Sequence, residues 1–573
     1  VYSLGINAAF HDSAACLVAD GRIVAAVEEE RLTGIKHGKR PVPFSAYELP
    51  FHAIDACLAA AGIELADVDR VGYSFDPEIL TGSLSGHESI VLPLEPSAPG
   101  NQKSGETPWE QLFVAHIVNA PRHLRSGFPH HLQKRFLGVA DDPGYVWRFL
   151  SHHLCHAASA FLPSPFEEAA VMTLDGRGER ATTGYWLGSG MKLEAVDQVD
   201  FPNSLGMLYE RVTEHLGFLH SSDEYKVMAL ASFGEPTYAA RLRELVHRTS
   251  GGQYVVRPLP LAEWFGPARQ RGEPFEQCHF DLAQSVQIVL EEVALGLASW
   301  LQEETGSRQL CLAGGVALNC VMNSAIRDAG IFDDIWVQPA AGDAGTALGA
   351  ALLLDAEGGS RSRAPMDDAY LGPEFSPNEI ECVLRHAKLR YERPPDLIKP
   401  VVEALCRDEV VGWFQGRMEF GPRALGARSI LASPLHAEMQ ARLNEIKDRE
   451  DFRPVAPAVL EEEMEDWFAP QGPSPFMLFV HDVLPDRADR IPAVRHVDGT
   501  ARIQTVRRDQ NPLYHDLLSA FAARTGVPVL VNTSFNTQGK PIVCMPRDAL
   551  ECFFSSPLDV LAMGPFLIRK EWV

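Results

Sequence analysis

Positive charge is scarce in this chain, as are closely paired cysteines and long apolar runs. Lys and Arg total 51 against 76 Asp and Glu in 573 residues, a formal net charge of −25. That deficit argues against broad binding to phosphate backbones, where Lys and Arg supply most of the affinity, and so against nucleic acid as a partner. The ten cysteines contain no CxxC spacing, and Cys16, Cys57, Cys311 and Cys320 sit inside apolar runs. A disulfide framework or structural zinc site is therefore disfavoured, and reduced core thiols of a cytoplasmic protein are expected. No apolar run approaches the roughly 20 residues a membrane span needs, so no membrane association is expected. Val1 to Asn7 lacks the basic region and cleavage site of a secretory signal and reads as a first β-strand. What remains is 46% hydrophobic and 22% charged, an ordinary globular balance whose length calls for two or three domains.

The first residues predict a β-meander. Leu4 to Asn7 and Ala14 to Val18 are strands, Asp20-Gly21 is a turn of residues that tolerate positive φ, and Arg22 to Val27 returns. Glu28 to Glu30 then opens a helical stretch. The pattern recurs: strand Val171 to Leu174, polar turn Asp175-Gly176-Arg177-Gly178, strand Thr182 to Leu187, a Gly188-Ser189-Gly190 turn and strand Met191 to Val196. The repetition predicts a duplicated α/β domain with a nucleotide between its halves. Phe280 to Glu304 has helical periodicity, with Asp281 as its expected N-cap. Strand Gln309 to Leu312 runs into Ala313-Gly314-Gly315 and Asn319, the outline of a phosphate-approach loop. Gly342-Asp343-Ala344-Gly345 enters an Ala-rich helix. The Gly/Ser/Arg-rich stretch 356–365 reads as a linker, dividing the chain into domains 1–355 and 366–573. Residues 81–110 read as an irregular insertion.

Four groups of residues carry chemistry. His152 and His156 are four apart behind a potential cap, Ser151, so both imidazoles share one helix face at the spacing a metal ion needs. A packed histidine pair is the structural alternative. Asp175 and Asp343 can complete an N/O donor set suited to a borderline divalent metal: iron (Fe2+), manganese or zinc. His11 and Asp12 lie between the first two strands, where a histidine can take a proton from a hydroxyl or simply bond its own turn. The C-terminal stretch has the densest signal. Arg417, Arg423 and Arg428 stand among glycines, followed by Lys447, Arg449 and Arg453, then Arg502, then Asn532 and Ser534 at the end of an apolar strand. Guanidiniums interleaved with glycine predict a polyphosphate and carbamate site rather than a solvated face.

These motifs together resemble the O-carbamoyltransferases of antibiotic and nodulation-factor biosynthesis. The resemblance spans nearly the whole length. It rests on Asn7-Ala-Ala-Phe-His11-Asp12-Ser13-Ala14, Val27-Glu-Glu-Glu-Arg31, the His152/His156 pair and Asp223-Glu-Tyr-Lys226-Val-Met. Leu312-Ala-Gly-Gly-Val-Ala-Leu-Asn319, Met418-Glu-Phe-Gly-Pro-Arg-Ala-Leu-Gly and Val531-Asn-Thr-Ser-Phe-Asn536 complete it. Members acting on aminoglycosides, tobramycin among them, are the likeness within that family. The resemblance implies a duplicated actin-like (ASKHA) N-terminal domain and a YrdC-like α/β C-terminal domain. The latter would make carbamoyl adenylate from carbamoyl phosphate and Mg-ATP. It assigns Arg417, Arg423, Arg428, Lys447, Arg449, Arg453, Arg502, Asn532 and Ser534 to that site, with Lys447 and Arg449 catalytic. Asp175, Gly178, Gly314, Gly315, Asn319 and Gly342 would hold the adenylate in the N-terminal domain, and His152, His156, Asp175 and Asp343 the metal. His11 would serve as base toward the acceptor hydroxyl, with Asp12, Asp223 and Glu224 as candidates for a cationic acceptor's ammonium groups. In tRNA-modifying relatives a tyrosine assists the metal-ligating histidines where this chain has Asp175, which bears on the choice of ion.

Two other functions compete. A fused tRNA threonylcarbamoylation enzyme is disfavoured by the net charge of −25. A nucleotide-gated actin-like binding protein leaves the C-terminal arginines without a role.

Overall fold

A computed structural model describes residues 1–38, 49–81, 114, 116–126, 144–359 and 363–572. The expected insertion 81–110 lies outside the described residues except for its first.

The opening meander forms as expected: β1 (Tyr2–Asn7), β2 (Ala14–Ala19) and β3 (Arg22–Glu28), with Asp20 and Gly21 at φ 50° and 80° in the turn. Two parallel strands, β4 (Arg70–Tyr73) and β5 (Val146–Phe149), extend it on the other side of β1, giving the order β3-β2-β1-β4-β5. The unit is then repeated. β6 (Glu168–Leu174), β7 (Ala181–Ser189) and β8 (Lys192–Asp200) form a second antiparallel meander. A small hairpin, β9 (Val246–Arg248) and β10 (Tyr254–Val256), follows, and β11 (Gln309–Ala313) and β12 (Asp334–Val337) then add parallel to β6. The order β8-β7-β6-β11-β12 has the connectivity of the first sheet. Duplication places the β1–β2 connection, with His11 and Asp12, and its counterpart, the β6–β7 connection with Asp175 to Gly178, at equivalent positions.

Helix Ala344–Glu357 packs against both β1 and helix His152–Phe161. Its approach is close enough that a Cβ on Gly349 would stand 1.8 Å from the Cys155 carbonyl oxygen, and one on Gly5 1.9 Å from that of Ala347. The Ala/Gly composition therefore sets how near the two helices stand, and with that the separation of Asp343 from the two histidines.

The third sheet has seven strands, β13 (Val411–Phe414), β14 (Arg428–Ala432), β15 (Ala456–Leu460), β18 (Gln504–Val506), β19 (Val529–Ser534), β20 (Val560–Met563) and β21 (Phe566–Arg569). A two-stranded ribbon, β16 (His481–Asp482) with β17 (Thr500–Ala501), intervenes in the chain. The sheet order is β18-β15-β19-β14-β13-β20-β21. Its central strands carry apolar residues on both faces because both faces are covered: in β19, Val529 and Val531 enter one core while Leu530 enters the other.

Several local expectations are corrected. The long helix spans Gln277–Thr305, so Asp281 is not its cap. Asp281 lies within the helix and accepts from the Glu235 amide and the Thr237 hydroxyl, each at 3.0 Å, bracing a neighbouring loop. That helix is also long and apolar enough to cross a membrane by length and composition, although 61% of its apolar window is buried inside the protein. Glu291 and Glu292 interrupt its apolar run. The expected linker is part helix, and Arg363 is fastened to the Phe161, Leu162, Ser164 and Gly190 carbonyls. All ten cysteines are free thiols.

Candidate functional site

His152 and His156 project from one face of helix His152–Phe161, with their Nε2 atoms 3.1 Å apart. Ser151 stands at the N-cap without making a side-chain cap bond; the His152 amide donates to Glu179 instead, at 2.9 Å. Asp175 follows β6 and Asp343 precedes helix Ala344–Glu357, both turned toward the imidazoles. Separations are 3.4 and 3.5 Å from His152 Nε2 to Asp175 Oδ2 and Asp343 Oδ1, and 3.8 and 3.7 Å from His156 Nε2. A tetrahedral ion about 2.1 Å from each donor sets the donors about 3.4 Å apart, so this buried set fits a divalent metal.

Surrounding groups orient the donors. His152 donates from Nδ1 to the Ser74 carbonyl at 3.3 Å, leaving Nε2 for an ion, and Gly315 N–H holds Asp175 Oδ1 at 2.8 Å. Asp343 Oδ1 is buried with no hydrogen-bond partner. Burial raises the Asp343 pKa, yet nearby His11 and His152 outweigh it and hold the carboxyl well below the usual range. Burial likewise opposes protonation of His152, and the Asp343 carboxylate overcomes it. Two carboxylates kept ionised beside two imidazoles could hold a cation.

His11 lies beside this centre. Its Nδ1 donates to Asp12 Oδ2 at 2.9 Å, and its Nε2 is 3.9 Å from Asp343 Oδ2. Asp12 lines the cavity, and its other oxygen accepts from His37 Nδ1 at 2.7 Å. Burial works against the charged Asp12, and His11 and His37 more than compensate, pulling its pKa down. Asp223 also lines the cavity; its Oδ2 pairs with Lys226 Nζ at 3.2 Å and accepts from Leu219 N–H. Glu224 faces the cavity and accepts from the Ser221 amide at 2.6 Å, with burial pushing its carboxyl up.

In the C-terminal region Arg423, Lys447, Arg449, Arg453 and Arg502 converge. Lys447 is 5% exposed, and its Nζ donates to Ser534 O, Ser534 Oγ (3.1 Å), Asn536 O (3.2 Å) and Asn536 Oδ1 (2.7 Å). Burial, then Arg449, lowers its pKa well below the ordinary lysine value. Burial and neighbouring guanidiniums pull Arg423 and Arg449 down to about 9, still protonated at neutral pH. The Nε atoms of Arg423 and Arg502 are buried without partners. One carboxylate, Glu450, stands 3.5 Å from Arg453 and is shared with Lys226 at 2.9 Å. Buried positive charge with so little compensation is costly unless an anion completes it.

Two of the expected arginines are not at this cavity. Arg417 donates to the Val24, Leu371 and Gly372 carbonyls, a strut between the first sheet and the C-terminal region. Arg428 is fully buried, donates to five backbone carbonyls and lies 3.7 Å over the Phe414 ring. Both serve packing, which residue type and glycine context do not distinguish from anion binding. Glu419, inside the same motif, organises the loop: its Oε1 accepts from the Leu425, Ala427 and Arg428 amides. Gly314 also stands behind the wall, at φ 91°, where a Cβ would meet Leu174 O at 2.2 Å. Asn532 faces the cavity and donates to Gln504 Oε1 at 2.7 Å, and Asn319 caps helix Cys320–Asp328.

One continuous cavity of about 2020 Å³ is lined by His11, Asp175, Gly178, Gly315, Asn319, Gly342 and Asp343 on the N-terminal side. Arg423, Lys447, Arg449, Arg453, Arg502, Asn532 and Ser534 line it on the C-terminal side. Arg177 and Asn536, also on its wall, went unassigned in the sequence because neither stands out from its neighbours there.

Residues 2–80 and 145–352 match the family profile "Carbamoyltransferase N-terminus", and residues 402–570 match "Carbamoyltransferase C-terminus". The chain is 41% identical to an uncharacterized protein of Synechocystis sp., over 99% of this chain and 96% of that protein. It is 39% identical to nodulation protein NolNO of Sinorhizobium fredii, over 99% of this chain and 80% of that protein. It is 42% identical to nodulation protein NolO of Bradyrhizobium diazoefficiens, over 74% of this chain and 79% of that protein. With both of its halves matched in order, the chain belongs to the carbamoyltransferase family and is an enzyme of that class.

Proposed function

We propose that this carbamoyltransferase works in two steps within one chamber. Residues 366–573, read as a YrdC-like domain, take up carbamoyl phosphate and ATP. Water releases phosphate from carbamoyl phosphate, and a carbamate oxygen attacks the α-phosphorus of ATP, giving carbamoyl adenylate and pyrophosphate. Lys447, Arg449, Arg423, Arg453 and Arg502 hold the polyphosphate and stabilise the charge on the leaving group. Residues 1–355, read as a duplicated actin-like domain on the strength of their repeated connectivity, receive the adenylate around Gly178, Gly315 and Gly342. The acceptor hydroxyl then attacks the carbamoyl carbon, His11 takes its proton, and AMP leaves with the bonding electron pair. A divalent ion held by His152, His156, Asp175 and Asp343 would supply Lewis-acid polarisation of the adenylate.

The observation that carries this reading is the shared cavity, with an under-compensated cation cluster on one wall and His11, Asp175 and Asp343 on another, the two histidines buried behind those carboxylates. A reactive mixed anhydride formed there reaches the acceptor without crossing bulk water. The acceptor is read as a polyhydroxylated small molecule, with an aminoglycoside as the class favoured by Glu224 and Glu210 on the cavity wall.

The test is pyrophosphate release from ATP with and without carbamoyl phosphate, alongside acceptor carbamoylation. Release is expected to depend on carbamoyl phosphate and to vanish in Lys447→Ala. His11→Ala is expected to lose acceptor carbamoylation while pyrophosphate is still formed. Release indifferent to carbamoyl phosphate would refute the adenylate route.

A further inference from the structure

Four side chains lead away from His11 in a single file. Asp12 Oδ2 is 2.9 Å from His11 Nδ1, and Asp12 Oδ1 is 2.7 Å from His37 Nδ1. His37 Nε2 is 2.8 Å from Ser222 Oγ, and Ser222 Oγ is 3.3 Å from Lys36 Nζ. The carboxylate in the middle fixes the direction of the bonds. An ionised carboxylate only accepts, so His37 gives its Nδ1 proton to Asp12 and turns Nε2 toward Ser222. Ser222 Oγ in turn accepts from the Lys36 ammonium, which only donates. The ionised Asp12 accepts on both oxygens, which places the proton of His11 on Nδ1 and the lone pair on Nε2. Nε2 is the nitrogen turned toward Asp343 and the four-donor centre.

Strained backbone lies on the same file and next to it. Nine non-glycine residues among those described have positive φ. Phe10 and Asp12 (both 51°), His37 (64°) and Ser221 (55°) are four of them. Such conformations cost on the order of 1–3 kcal/mol each and persist where surrounding bonds enforce them. Those bonds are present. Asn7 Nδ2 donates to the His11 and Asp12 carbonyls, each at 3.0 Å. The Asp12 amide donates to His37 O at 3.2 Å, and the His37 amide to Glu30 Oε2 at 2.7 Å.

We propose that His37 and Ser222, with Lys36 behind them, are positioning residues that hold Asp12 in place and, through it, keep His11 in the tautomer able to take the acceptor's proton. The inference rests on the reading of His11 as the base. In the transfer step the acceptor O–H proton goes to His11 Nε2 as the new C–O bond forms and the bond from the carbamoyl carbon to the AMP oxygen breaks. Asp12 stays ionised and stabilises the imidazolium, and His37 keeps its own proton. His37 and Ser222 touch neither substrate nor ion.

The experiment compares His37→Leu, His37→Gln, Ser222→Ala and His11→Ala in the full-length, metal-replete enzyme. Acceptor carbamoylation is followed by kcat and KM, together with pyrophosphate release and metal content. His37→Leu is expected to lower kcat for transfer by roughly 10-fold at unchanged acceptor KM, since Asp12 loses the bond that holds it against His11. His37→Gln can donate to Asp12 and accept from Ser222, so it is expected to recover most of the loss. Ser222→Ala is expected to cost about 3-fold, because His37 loses one of the two bonds that orient it. A loss confined to KM, equal losses in Leu and Gln, or no loss at all would overturn the proposal. A fall in metal content in His37→Leu would also overturn it, making Asp12, Glu30 and His37 an ion site instead. If His11→Ala transfers normally, it is the reading of His11 that has failed.

Discussion

Replacing Arg502 by Gln separates a polyanion site from a merely structural arginine cluster, because the two accounts predict opposite signs. Arg502 Nε is buried without a partner, and after burial itself Arg502 is the leading influence depressing the Arg423 guanidinium. Removing it from the ligand-free protein relieves like-charge repulsion and desolvation, worth about 1–2 kcal/mol. At about 2–4 °C per kcal/mol for a domain of this size, Tm is expected to rise by a few degrees. Pyrophosphate binding moves the other way. A hydrogen bond to a charged group contributes about 1.5–3 kcal/mol, so Kd is expected to weaken roughly 10- to 150-fold. With pyrophosphate at about 100 times the wild-type Kd, the wild-type protein gains about 2.7 kcal/mol. A variant binding 100-fold more weakly gains about 0.4 kcal/mol. Thermal unfolding with and without pyrophosphate reads both effects. An Arg502→Gln protein with a lower ligand-free Tm and an undiminished pyrophosphate shift would refute the cation-cluster argument.

Gly349→Ala places a Cβ 1.8 Å from Cys155 O, so the helix bearing Asp343 must move off the helix bearing the histidines. Elemental analysis is expected to show reduced metal although no donor has changed, and denaturation a cost of about 1–3 kcal/mol. Asp343→Asn is expected to lower metal content directly, checked by the same analysis. Burial, then Arg327, pulls the buried His481 down to about 4, against about 6.5 in an unfolded chain. Between those pH values the unfolded state binds the extra proton, so stability falls as pH falls from 6.5 toward 4, by at most about 3 kcal/mol. His481→Gln, which can still donate to Gly472 O, is expected to flatten urea midpoints measured across that range.

Much of the arrangement was written locally. The meander and its repeat were legible because alternation, polar turns and positive-φ residues such as Asp20 and Gly21 act over a few residues. The His152/His156 pair was legible for the same reason, since i,i+4 spacing on a helix fixes a shared face whatever lies around it. The long helix was found but mis-started, because Asp281 is the kind of residue that caps helices and its partners Glu235 and Thr237 are distant in sequence.

Where a charged side chain spends its hydrogen bonds is a long-range matter. Arg417 and Arg428 share the residue type and glycine context of Arg423, yet they bind carbonyls of Val24, Leu371, Gln415 and Pro373. Asp12 and Asp223 are paired with His37 and Lys226, partners that nothing in their local sequence announces. The sequence by itself determined the donors, the cations, the repeat and the family. The tertiary structure decided which of them share a cavity, and which neighbour, brought near across hundreds of residues, has already claimed each charge.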